Sequence, residues 1–223
     1  MVMSVSVARF TYKEEMANAV SHLIGVFLSI AALVLMIVFS AIKGTSWHIV
    51  STAIFGTTLI LLYLSSTLTH WLKPGKFKEA FFAIDQIAIF FLIAGTYTPL
   101  ALVALHGTIG WIVIGIEWGL ALIGSLIRIL RPREYNAGVN MFYIVLYATM
   151  GWMFAFVIIP IFNSIPFMGV LWIFIGGLFY TFGIFFYKKA TFRYHHLVWH
   201  LMVLAGSISH FIAIFFYVIP ISL

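Results

Sequence analysis

The sequence predicts an all-α protein, a seven-transmembrane helix bundle with its N-terminus in the cytoplasm and its C-terminus outside. Three observations predict it. Of 223 residues, 64% are hydrophobic and 8% charged, where soluble domains carry about 45–50% apolar and ~25% charged residues. The mean hydropathy is +1.14. Apolar runs long enough to span a bilayer, which takes ~20 residues, recur seven times. All of the Lys and Arg residues except Lys43 fall at alternate connections between those runs.

A polar segment, 1–15, precedes a membrane domain covering 16–223. The first run, 17–42, lacks a short apolar stretch followed by a small-residue cleavage site, so it is expected to be retained as a helix. The second, 46–70, ends at His70, and Pro74 marks the connection after it. The third, 81–104, carries Pro99 near its end, and the fourth, 109–129, is closed off by Pro132. The fifth is expected over 139–161 with Pro160 near its end, followed by Pro166 and a sixth over 167–187. The seventh, 197–219, stops at Pro220. No proline falls in the middle of a run, and no internal repeat is visible, which counts against a transporter built from broken helices. Trp47, Trp71, Trp111 and Trp199 lie near run ends, where interfacial anchors are expected.

Arg9, Lys13, Lys73, Lys76, Lys78, Arg128, Arg131, Arg133, Lys188, Lys189 and Arg193 share one side of this arrangement. The positive-inside rule therefore assigns that side to the cytoplasm. The formal net charge is +6, but the charges form no continuous basic stripe, so a nucleic-acid partner is not expected. A membrane surface is the better match. The chain has no cysteine, which excludes disulfides and thiolate ligands and leaves His, Asp, Glu or water for any metal.

With the topology set, each polar residue acquires a depth. His70 ends the second run, Asp85 lies in the first turns of the third, and His196 and His200 open the seventh. Glu15, Asn18, Ser21 and His22 open the first. All of them fall within about two helical turns of the cytoplasmic interface at ~1.5 Å per residue. His196 and His200 are spaced i, i+4, so both imidazoles share a helix face, as two ligands of one metal would. His70 completes a three-histidine set that leaves a fourth position for water. Zinc so held lowers the pKa of its water to about 7, and Asp85 is placed to orient that water or accept its proton. The stripe continues along the seventh run through Val203, Ser207 and His210, and His195 points away from it. Ser66 stands one turn before His70 on the same face.

Plainer roles compete with these. Glu15 and Asn18 are equally suited to capping the first helix, and Ser66 to bonding the backbone four residues back. Glu117, inside the fourth run, costs ~2.5–3.5 kcal/mol at mid-bilayer when charged. Its depth matches that of His210, which suggests a pair; a neutral Glu117 bonded to backbone is the alternative.

The segments E-M-A-N-A-V-S-H-L-I-G (15–25), S-T-L-T-H (66–70), D-Q-I-A-I-F-F-L-I-A-G-T-Y-T-P (85–99) and H-L-V-W-H-L-M-V-L-A-G-S-I-S-H-F (196–211) resemble the hemolysin III family. This is the bacterial branch of the progestin and adipoQ receptor (adiponectin receptor-like) superfamily, distantly related to alkaline ceramidases. The resemblance covers essentially the whole chain, including G-G-L-F-Y-T-F-G (176–183). It implies a seven-helix bundle with the N-terminus inside and a zinc ion on His70, His196 and His200. It also implies that Ser66 and Asp85 belong to the surroundings of the metal-bound water, with Glu15, Asn18 and His22 as possible supporting residues. One departure is Thr69, where bacterial relatives often carry Tyr.

Three functions compete on this basis. The first is a zinc-dependent hydrolase acting on an amide or ester bond of a membrane lipid, with Asp85 and Ser66 as catalytic residues and a part in membrane-lipid homeostasis. The second is a non-enzymatic sensor or receptor of membrane state whose zinc is structural. The third is a hemolysin-type pore-forming protein, for which the polarity is concentrated too much on one side. The expected location is the cell membrane, the inner (plasma) membrane in a bacterium, with a membrane lipid as substrate or ligand.

Overall fold

In the computed structural model, residues 10–130, 137–188 and 192–223 are described, 137–140 by their backbone alone. Arg9, Arg131, Pro132, Arg133 and Lys189 lie outside the described residues. The elements are α1 (Tyr12–Lys43), α2 (Ser46–Trp71), α3 (Lys76–Pro99), α4 (Gly107–Leu130), α5 (Ala137–Gly151), α6 (Ile158–Ser164), α7 (Phe167–Lys188) and α8 (His195–Ala213). Among the described residues there is no strand. Among these residues six helices are long and apolar enough to cross a membrane, or seven with the bent pair α5 and α6 taken as one span. The chain is a multi-pass membrane protein. Large apolar side chains such as Ile123, Leu126, Phe182 and Phe185 stand on the outside of the bundle, as lipid-facing residues do.

Two elements differ from the sequence expectation. The first helix starts at Tyr12, inside the polar segment, because Thr11 and Glu14 form a capping box. The Glu14 amide donates to Thr11 Oγ1, and the Thr11 amide donates to Glu14 Oε2 at 2.9 Å. This box satisfies amides that a helix start otherwise leaves open. The expectation that Glu15 and Asn18 cap the helix is thereby replaced, and both are freed for other contacts.

The fifth run is not one straight helix. It passes through a 3₁₀ segment, Trp152–Phe156, and bends by 56° before α6. Pro160 supplies the reason: its ring excludes the carbonyl of the residue four positions earlier and it donates no amide hydrogen. Pro160 therefore sits in the first turn of the new helix α6. The break is tied by Tyr97, whose hydroxyl donates to the Gly151 carbonyl (2.8 Å) and accepts from the Phe154 amide (2.7 Å). Pro99 similarly ends α3, which runs on as a π-helical turn, Leu100–Leu105.

The helices α1, α2, α3 and α4 pack in sequence order, and α1 also packs on α8, which pairs closely with α7. By contrast, α5 touches α3, α4 and α7 only lightly. Tyr147 on α5 donates to the Gln86 carbonyl at 2.8 Å, and the buried Arg128 of α4 donates to the Gln86 side chain. Because α5 stands off the other helices, the bundle is hollow between α3, α5, α7 and α8.

Candidate metal centre

Three imidazoles converge where the C-terminal end of α2 meets the N-terminal end of α8. Ring centroids are 5.0 Å apart for His70–His196, 5.0 Å for His70–His200 and 4.6 Å for His196–His200. One ring nitrogen from each lies within 4.8 Å of the other two, so the set can hold a metal ion. The i, i+4 spacing places His196 and His200 on one face of α8, as read from the sequence. His195 instead turns to the Phe186 carbonyl (3.0 Å).

The hydrogen bonds fit a cation. His200 Nδ1 lies 3.1 Å from the Asn18 carbonyl oxygen. A carbonyl only accepts, so Nδ1 carries the hydrogen and Nε2 keeps its lone pair for a metal. His70 Nδ1 lies 2.6 Å from Glu15 Oε2, and the other carboxylate oxygen of Glu15 takes Lys78 Nζ at 2.6 Å. A carboxylate on Nδ1 likewise directs Nε2 toward the centre. His196 is positioned by ring packing against Phe10 (5.0 Å) and Tyr187 (6.0 Å). Three neutral imidazole nitrogens, two of them anchored through the opposite nitrogen, make a donor set suited to a borderline-soft divalent ion.

The first turns of α1 do most of the anchoring. Glu14 Oε1 accepts the Tyr194 amide (3.2 Å) just before α8, where Tyr194 adopts a left-handed φ of 62°. Glu15 holds His70 and Lys78. Ser21 Oγ lies 3.1 Å from His200 Nδ1 and donates to the Asn18 carbonyl at 2.8 Å. His22 stacks on His200 with centroids 3.6 Å apart and planes 10° from parallel. Both His22 nitrogens and both side-chain polar atoms of Asn18 are buried without a hydrogen-bond partner. Asn18 thus meets the site through its backbone. In the sequence Ser21 shows only as one of the polar residues at this depth and Lys78 only as one of the basic residues of this side; depth alone does not identify lateral neighbours.

Asp85 and Ser66 approach each other from α3 and α2. Asp85 stands apart from the three-histidine set. Both residues share with the histidines the wall of a cavity of about 530 Å³, well within the range of small-ligand sites. Its deeper wall is largely apolar and includes Leu62, Ile89, Leu92, Ile144, Phe174 and Val203. Thr69 is on the wall as well. So is Trp199, which packs over Gly183.

The expected Glu117–His210 pair does not form. His210 Nε2 donates to the Ile173 carbonyl (3.1 Å), while both Glu117 carboxylate oxygens are buried with no partner. Matched depth misled here because α4 packs on α3, away from α8.

A family profile described as Haemolysin-III related matches residues 10–211. The hemolysin-3 homolog of Bacillus subtilis (strain 168) is 42% identical over 212 residues, spanning 95% of this chain and 98% of that one. Hemolysin-3 of Bacillus cereus is 38% identical over 208 residues, with 93% of each chain covered. At greater distance, the human monocyte to macrophage differentiation factor is 28% identical over 213 residues, spanning 93% of this chain and 85% of that protein.

Proposed function

The chain belongs to the haemolysin-III-related family, and from that premise we propose that it is a zinc-dependent hydrolase of an amide or ester bond in a membrane lipid. The observation that carries this reading is the placement of a three-imidazole donor set at the head of a largely apolar cavity. His70, His196 and His200 would hold the ion. Bound there, a zinc ion acts as a Lewis acid and makes hydroxide available near neutral pH.

The remaining work falls to the chain's own side chains. Glu15 and the Asn18 carbonyl keep the Nδ1 hydrogens of His70 and His200 and so fix the ring orientations. Asp85 accepts the proton of the attacking water at its carboxyl group, and Ser66, beside it on the cavity wall, offers a hydroxyl to aim that group. The apolar wall takes the acyl chain and keeps bulk water away from the reacting bond. A part in membrane-lipid homeostasis follows from that substrate class. The basic residues gathered at the metal end support a cytoplasmic N-terminus and metal end under the positive-inside rule.

The test is metal analysis joined to lipid turnover. About one zinc per chain is expected, lost in His196→Ala/His200→Ala, together with metal-dependent release of fatty acid from a lipid amide or ester. Unchanged turnover after loss of all three histidines would sink the hydrolase. The name of the Bacillus cereus relative favours a second reading, a lytic protein. Liposome leakage that persists after chelation would replace hydrolysis with that reading. Stoichiometric zinc whose removal unfolds the chain, without any turnover, would make the ion structural and the protein a sensor or receptor.

A further inference from the structure

The cavity has a second polar end, built across the α7–α8 interface, that the metal chemistry does not use. His210 and Tyr180 both line it, with ring centroids 5.5 Å apart. Each ring occupies space cleared by a glycine on the opposite helix. A Cβ at Gly176 would collide with the His210 ring, and a Cβ at Gly206 would come within 2.9 Å of the Tyr180 ring. Two reciprocal notches of this kind hold two polar rings in place where the surrounding wall is mostly aliphatic and aromatic. The notch under His210 belongs to the glycine-rich stretch 176–183, which the metal centre leaves unexplained.

The hydrogen bonds at this end are incomplete in a specific way. His210 Nε2 gives its hydrogen to the Ile173 carbonyl, so Nδ1 is a bare acceptor, and it is buried without a partner. Tyr63 donates to Ser207 Oγ at 2.7 Å, and Tyr180 shares that same Ser207 oxygen at 2.8 Å. If Ser207 donates to Tyr180, the Tyr180 hydrogen is free for the cavity; if Tyr180 donates, its lone pair is free. Either way this end offers one acceptor on His210 and one unspent hydroxyl function on Tyr180. Unpaired buried polar atoms are costly. With Ser207 donating to Tyr180, a ligand hydroxyl is the group that answers both, accepting the Tyr180 hydrogen while it gives its own single hydrogen to His210 Nδ1. A ketone would leave Nδ1 unpaired.

Building on the lipid reading above, we propose that this end is a specificity subsite for a hydroxyl carried on the lipid chain. His210 lies ten positions beyond His200 on the same helix, α8. At 1.5 Å per residue, the chain hydroxyl sits about 15 Å from the metal-binding head. The cavity thus selects lipids that are polar at two separated points over simple saturated chains.

The experiment is displacement of a fluorescent fatty acid from the full-length protein in nanodiscs. The competitors are stearate, a positional series of monohydroxystearates, and the matching ketostearates. One mid-chain hydroxyl position is expected to bind about tenfold tighter than stearate, the effect of one well-made hydrogen bond in a dry site. Its ketone counterpart, which accepts from Tyr180 but has no hydrogen to give His210, is expected to gain less than the hydroxyl. In Tyr180→Phe, which keeps the ring in its notch, the ratio of hydroxystearate to stearate affinity falls to about one, and His210→Leu does the same. Stearate binding with no preferred hydroxyl position, or a preference that survives Tyr180→Phe, overturns the subsite and leaves the lipid cavity standing. Failure of every fatty acid to bind overturns the lipid reading and this inference with it.

Discussion

Replacing Glu15 by Gln tests the idea that α1 governs the metal centre. The carboxylate is shared, with Oε2 2.6 Å from His70 Nδ1 and Oε1 2.6 Å from Lys78 Nζ. Gln retains one acceptor and turns an amide N–H₂ toward the other donor. Loss of a carboxylate behind a metal-binding imidazole typically lowers affinity ten- to a hundredfold, about 1.4–2.7 kcal/mol. Stability falls separately, because only 8% of the Lys78 side chain is exposed and its charge loses its counterion. Full disruption of a buried pair costs about 3–5 kcal/mol. Glu15 keeps 18% exposure and Gln still accepts one bond, so about 1–3 kcal/mol is expected. The two effects part in Glu15→Gln/Lys78→Met, which removes the stranded charge: apo-protein stability returns and metal affinity does not. Zinc affinity by chelator competition and thermal unfolding of the metal-free protein measure each arm. Wild-type affinity within twofold in Glu15→Gln would refute the orienting role. Recovery of affinity along with stability in the double variant would show that Glu15 acts through Lys78 alone.

Metal removal should lower the unfolding temperature. With free zinc at 100 times its dissociation constant, the linked stabilisation is about 2.7 kcal/mol, and a chelator scan should show no shift in His196→Ala/His200→Ala. Glu117→Leu should raise stability by roughly 1–3 kcal/mol, since it removes two buried carboxylate oxygens that lack partners; a lower unfolding temperature would mean that Glu117 is held by something the bundle needs. Gly110→Ala should destabilise by about 1–3 kcal/mol, because its Cβ would collide with the backbone carbonyl of Ala101. Gly115→Ala, with nothing within 4 Å of the added carbon, is the matched control and should be near neutral in the same thermal assay.

Length and hydropathy made the spans legible, because a bilayer imposes a minimum apolar length that few other constraints imitate. Helix ends and breaks were less so. The start of α1 was hidden because its capping box, Thr11 with Glu14, looks like ordinary polar sequence. The bend in the fifth span is set by Pro160 acting on a carbonyl one turn earlier, so the effect appears upstream of the residue that causes it. Depth brought His70, His196 and His200 together correctly, since they are forced into one layer wherever the helices stand around the bundle. The same argument failed for Glu117 and His210. Two residues at one depth meet only if their helices are neighbours, and a single sequence gives depth without lateral order.

That limit explains why the contribution of α1 was underestimated. Within three helical turns, it gives Glu14 to the Tyr194 amide before α8, Glu15 to α2 and α3, and the Asn18 carbonyl with Ser21 and His22 to His200. None of the three histidines lies on α1, yet both helices that carry them are tied to it. A bundle with little hydrophobic driving force between its helices depends on such polar ties for its relative placement. Here they gather at the end where the imidazoles must be held, while α5, only lightly packed, leaves room for the cavity. The division matches the proposed chemistry: metal affinity requires ligands fixed in relation to one another, and a long apolar ligand requires space beside them. A chain that tightened α5 onto α7 to gain packing would close the cavity before it improved the centre.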